Sequence, residues 1–126
     1  MIPGQPILVV DDDDDFREAL VEVLSEAGYP VDQAGDGEAA LRRMSAETPG
    51  VVLLDLKMPV LDGWGVVERM RKDARMAHIP ILILSAYGFE WESELLGAQG
   101  YVPKSVGMEE ILERIRRIAG PPPTHH

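Results

Sequence analysis

Five acids in a row, Asp11 to Asp15, stand directly behind the apolar run Pro6–Val10. Like charges this close repel, and an unpaired charge at the edge of a core is costly. Comparable endings recur along the chain. Asp55 closes Val51–Leu54, Ser85 closes Ile79–Leu84, and Lys104 follows Gly100–Val102 after one proline. Carboxylates are hard oxygen donors that suit magnesium rather than zinc. A lysine holds a phosphate oxygen as a point charge, and a serine hydroxyl donates to another. A carboxylate left free to attack phosphorus would form an aspartyl phosphate, with a metal offsetting the charge of the transferred group. That chemistry needs Asp11, Asp12, Asp55, Ser85 and Lys104 to meet in space.

The elements between them explain how they can meet. The four runs are apolar without alternation, the pattern of strands buried on both faces of a sheet. Pro30–Ala34 is a weaker fifth strand. Phe16, Ala19, Leu20, Val23, Leu24 and Ala27 share one helical face, and Ala27-Gly28 ends it. Helices are also predicted over 36–44, over 62–74 with Asp62 as cap, over 89–98 as a weaker candidate, and over 107–119. Five β-α units in succession define an α/β fold, a doubly wound five-stranded parallel sheet. Right-handed crossovers favour the flavodoxin-like order 2-1-3-4-5. Ligands of such sheets bind beyond the carboxyl ends of the strands, and the five polar residues all fall there.

Composition bounds the function. The chain has 126 residues, one domain's worth, and 45% of them are hydrophobic. A net charge of −10, from 22 acids against 12 bases, disfavours a nucleic-acid-binding face and favours cations or basic partners. There is no cysteine, hence no disulfide framework and no thiolate metal site. No apolar run approaches the roughly 20 residues of a membrane span. The start "MIPGQ" carries no signal-peptide pattern, which makes the cytoplasm the expected location. Residues 1–119 read as the domain. Residues 120–126 read as a Pro-rich tail, either the start of a linker or a cloning remnant.

The motifs "ILVVDDD", "AGDGEAAL", "VVLLDLKMPVLDGW", "ILILSAYG" and "GYVPK" occur in order over residues 6–104. Together they resemble the receiver (CheY-like) domain of two-component response regulators. The resemblance implies a phosphoprotein of a phosphorelay in signal transduction, a switch rather than a turnover enzyme, which catalyses its own phosphorylation and dephosphorylation. It implies that Asp55 accepts a phosphoryl group from a histidine kinase or a histidine phosphotransfer protein. Asp11 and Asp12 would hold Mg2+, Asp12 directly and Asp11 largely through water, with Asp55 and the backbone carbonyl of Lys57 as further ligands. Ser85 and Lys104 would contact the phosphoryl group. Ser85 and Tyr101 would switch, reshaping the face made by the fourth helix, the fifth strand and the last helix for a downstream output domain or protein. Asp13 to Asp15 would cap and begin the first helix, where the helix dipole favours acids.

Competing readings are weaker. Asp11, Asp13, Asp15 and Glu22 match calcium-loop spacing, but Phe16 stands where that loop needs glycine. A haloacid-dehalogenase-like phosphatase shares an Asp-x-Asp start but has Thr or Val where Asp15 stands. A pseudo-receiver that binds without switching would lack pocket residues that are present here. Trp64, Trp91 and His78 read as packing residues. Two departures from the family pattern carry expectations. Pro103 precedes Lys104 and Ser105 follows it, where the family has Lys-Pro joined by a cis bond. A cis Lys-Ser bond would cost about 2.5–4 kcal/mol, so a differently built loop is expected. The stretch from Ser85 to Lys104 is short by about one helical turn, so the fourth helix should be stunted or irregular.

Overall fold

A computed structural model describes residues 4–58, 60–86 and 97–123. The strands are β1 (Ile7–Val10), β2 (Val31–Ala34), β3 (Val51–Leu54), β4 (Ile81–Ser85) and β5 (Gly100–Pro103). The α-helices among the described residues are α1 (Asp14–Glu26), α2 (Gly37–Ala46), α3 (Gly63–Lys72) and α4 (Met108–Ala119). A short 3-10 turn, Lys104–Val106, joins β5 to α4. All strand pairs are parallel, and the order is β2-β1-β3-β4-β5, as expected. The helix expected over 89–98 lies almost wholly outside the described residues.

The unbroken apolar runs feed two cores. Leu8, Val10, Val52, Leu54, Ile81 and Ile83 face α2 and α3. Their neighbours Ile7, Val9, Val51, Leu53, Leu82 and Leu84 face α1 and α4. Alternate residues of a strand point to opposite faces, so a strand with helices on both sides must be apolar throughout. β2 and β5 are the exceptions because they are the edge strands, and only Ala34 and Val102 in them are buried.

Helix starts follow the acids. Asp13 caps α1 by accepting from the Phe16 N–H, Asp36 caps α2 through Ala39, and Asp62 caps α3 through Gly65. α1 stops at Gly28, which takes φ +100°, a conformation that favours glycine. α3 ends at Lys72, two residues short of the sequence expectation, because Asp73 is extended and its carboxylate accepts from the Arg75 N–H. Past α4, the Tyr29 hydroxyl donates to the Gly120 carbonyl, and Pro122 lies against Gly28. The first residues of the Pro-rich tail therefore pack back on the turn between α1 and β2.

Candidate functional site

Main-chain bonds carry the sheet pattern one step past the strands. The Asp11 N–H donates to the Ala34 carbonyl, and the Asp55 N–H donates to the Val10 carbonyl, both at 3.1 Å. This places Asp11 and Asp55 side by side at the carboxyl edge. Both are nearly buried, at 2% and 6% exposure, while Asp12 is exposed. Oxygens of Asp11, Asp12 and Asp55 all lie within 4.8 Å of one another.

Lys104 enters from the far side of the sheet. Its Nζ lies 2.6 Å from Asp11 Oδ2 and 3.1 Å from Asp55 Oδ2. It also sits 4.6 Å from the centroid of the Phe16 ring, a cation–π contact. No cis peptide occurs among the described residues, so the Lys104–Ser105 bond is trans. The loop is built differently, as expected: the 3-10 turn starts at Lys104 and delivers the ammonium to the carboxylates. Gly107, at φ +92°, then turns the chain into α4.

Ser85 ends β4, is 1% exposed, and pairs in register with Pro103, next to Lys104. Tyr101 pairs with Ile83 two residues earlier, on the same sheet face as Ser85. It is half-buried against the α2–α3 core. The Lys57 N–H donates to Asp55 Oδ1 at 3.2 Å. Lys57 also lines an open cleft of about 500 Å3 together with Asp12, Leu56, Met58, Asp62 and Trp64. The loop behind Asp55 is closed by a bond from the Gly63 N–H to the Leu56 carbonyl. A Cβ on Gly63 would lie 2.6 Å from the Asp55 carbonyl oxygen, so the closure requires glycine. Inside the loop Val60 holds φ +69°, an unusual state for a β-branched residue.

The charges act on each other. Burial pushes the Asp55 carboxyl up from its ordinary value, and the Asp11 charge adds to this; Lys104 and the Lys57 N–H pull the other way without cancelling it. For Lys104, burial pulls down. The hydrogen bond to Asp11 and the charges of Asp55 and Asp11 outweigh it, and the ammonium is pushed up. The site therefore keeps a cation at its centre. Three carboxylates cluster here, and Lys104 pairs with two of them, Asp11 and Asp55. If all are ionised, two negative formal charges remain, which a divalent cation would offset. The all-oxygen donor set fits Mg2+.

Sequence reasoning singled out Asp11, Asp12, Asp55, Ser85 and Lys104, and the structure brings them to one rim. It passed over Phe16, which lies under Lys104, and Arg17, which grips the Asp11 carbonyl at 2.7 Å. Phe16 was read only as part of the apolar face of the first helix and Arg17 was not singled out; their contacts to Lys104 and to the Asp11 carbonyl are what set them apart.

A parallel α/β domain with an acidic, lysine-bridged rim is the setting of phosphoryl-handling switches, and the comparisons with known proteins agree. The profile described as "response regulator receiver domain" matches residues 7–116. The chain is 41% identical over 117 residues to a probable transcriptional regulator, ycf27, of Guillardia theta, covering 90% of this chain and 45% of that one. Among solved structures, chemotaxis protein CheY4 of Vibrio cholerae superposes with a TM-score of 0.83 at 30% identity, covering 90% of this chain and 98% of that one. Response regulator TrrA of Thermotoga maritima, solved in complex with Mg(2+)-BeF, superposes with a TM-score of 0.78 at 36% identity, covering 90% and 98%. The chain belongs to the response regulator receiver domain family of two-component signalling. It spans about half the length of the curated relatives it matches. Among the described residues no helix is long and apolar enough to cross a membrane.

Proposed function

We propose that this receiver takes a phosphoryl group onto Asp55 from a histidine kinase or a histidine phosphotransfer protein. The observation that carries the reading is the setting of Asp55. It is a nearly buried strand-end carboxylate, with an ammonium 3.1 Å away and two further carboxylates clustered around it. Asp12 and Asp55, the Lys57 carbonyl and, through water, Asp11 would hold Mg2+. Bound there, the ion would offset the charge of the phosphoryl oxygens. The Asp55–phosphorus bond forms as the donor's phosphorus–nitrogen bond breaks, and the electron pair passes to the imidazole nitrogen. Lys104 is placed to move from carboxylate to phosphoryl oxygen, and the Ser85 hydroxyl to donate to another. A ligand shifts a two-state element only through differential contacts. Here those contacts are the ones Ser85 and Lys104 make to the phosphoryl group. Tyr101, on the same sheet face, carries the change outward to the face around β5.

In this reading residues 1–119 are the switch, and the tail from 120 leads toward an output domain or protein, in the cytoplasm. The domain catalyses its own phosphorylation and dephosphorylation and serves as a switch more than a turnover enzyme. Intact-mass analysis after incubation with acetyl phosphate and Mg2+ tests it. One added phosphate is expected, and none in Asp55→Asn. Labelling that persists in the variant would place the acceptor elsewhere, and no labelling of the parent would favour a receiver that binds without switching.

A further inference from the structure

We infer that Arg17 is a positioning residue for the metal-binding acids. The inference rests on the reading of Asp11, Asp12 and Asp55 as a Mg2+ site. Arg17 lies in the first turns of α1, yet its side chain is only 12% exposed. It folds back over the start of its own helix and ties three segments together. Nη1 donates to the Asp11 carbonyl at 2.7 Å, Nε donates to Gln33 Oε1 on the edge strand at 2.9 Å, and Nη2 pairs with Asp14 Oδ1 at 2.7 Å.

The contacts converge on the turn that carries the metal-binding acids. The Asp11 N–H is held by Ala34, its carbonyl by Arg17, its Oδ1 by the Asp13 N–H and its Oδ2 by Lys104. Every polar group of Asp11 thus has a partner, and Arg17 supplies the one that fixes the peptide leading into Asp12. A planar guanidinium can make three directed contacts at once, which an ammonium cannot. An arginine on the surface of α1 needs only Asp14. The reach to Gln33 and to the Asp11 carbonyl is what a positioning role adds.

The two possible roles have opposite signs. If Arg17 acted only by charge, removing it would make the acidic rim more negative and tighten divalent binding. If it acts by position, removing it loosens the Asp11–Asp12 turn and weakens binding. Partners behind metal ligands typically contribute about 10–100-fold in affinity. Mg2+ demands near-ideal octahedral geometry, whereas Ca2+ tolerates irregular sites. Loosening should therefore weaken Mg2+ more than Ca2+.

Calorimetric titration of the folded protein with each ion decides it. Arg17→Met should raise the Kd for Mg2+ about tenfold and narrow the preference for Mg2+ over Ca2+. Arg17→Lys should restore only part of this. Gln33→Ala, which removes one anchor outside the pocket, should move both quantities in the same direction by less, and it carries the test if Arg17→Met does not fold. Unchanged or tighter Mg2+ binding in the variants, or equal weakening for the two ions, would overturn the inference. A parent protein that binds no Mg2+ would overturn it together with the metal reading, and so would be distinguished from a failure of Arg17 alone.

Discussion

Lys104→Met is the sharpest probe of the site. The ammonium bridges Asp11 and Asp55, and the three side chains are 13%, 3% and 8% exposed. Taking one partner out of a buried ionic cluster costs about 3–5 kcal/mol, because the remaining charges stay desolvated. Methionine keeps much of the apolar stem, so packing on Phe16 contributes little to the loss. The pH dependence carries the diagnosis. Burial, and then Asp11, already raise the Asp55 carboxyl, so the native state keeps its proton to higher pH than the unfolded chain. Stability therefore falls as pH rises through the window above the ordinary carboxyl range. Without Lys104 that window widens upward, since Lys104 is the largest influence lowering Asp55. Each pH unit over which the native state holds one extra proton is worth about 1.4 kcal/mol. Urea unfolding in EDTA should thus show a large loss near pH 8 that becomes smaller toward pH 5. Saturating Mg2+ should recover much of the loss at the higher pH. A loss equal at both pH values and indifferent to Mg2+ would refute the idea that Lys104 works by compensating these carboxylates.

Three further outcomes are expected. Mg2+ should raise the melting temperature of the parent by binding the native state, and Asp12→Ala should remove most of that rise in a thermal-shift titration. Gly63→Ala should destabilise by about 2–3 kcal/mol in urea, because its Cβ would press on the Asp55 carbonyl oxygen and on Leu56 Cα at 2.6 and 2.7 Å. Val60→Asn should stabilise by about 1 kcal/mol, since Val60 is 86% exposed at φ +69° and has little packing to lose.

The sheet was legible because its strands are buried on both faces, which leaves uninterrupted apolar runs such as Val51–Leu54 and Ile81–Leu84. Element ends were harder. Ile79 and Pro80 look like strand residues, but they belong to the connection after α3, and Ile79 is buried there against the α2–α3 core. Apolar character reports burial, and a buried connection carries the same signal as a strand. The Lys104 turn was legible only as a departure: Ser105 in place of proline indicated a different loop, and nothing in the spacing indicated that a 3-10 turn would deliver the ammonium to the same place.

The acidic row shows why residue type alone underdetermines a site. Asp11 to Asp15 are chemically identical, and their roles are assigned by what each meets. Asp11 meets Lys104 and becomes nearly buried; Asp12 stays exposed on the cleft; Asp13 turns to the Phe16 N–H and caps α1; Asp14 takes Arg17. The partners of Asp13 and Asp14 lie three residues away, so that part of the division is local. The distant one decides the chemistry. Lys104 arrives from the end of β5, beyond β3 and β4 in the sheet; the parallel run of all five strands brings that end to the same rim as Asp55, and the order 2-1-3-4-5 sets it two strands away. The repulsion among the acids is thus offset by topology. The same crossing places an ammonium where a phosphoryl group on Asp55 would need a counter-charge.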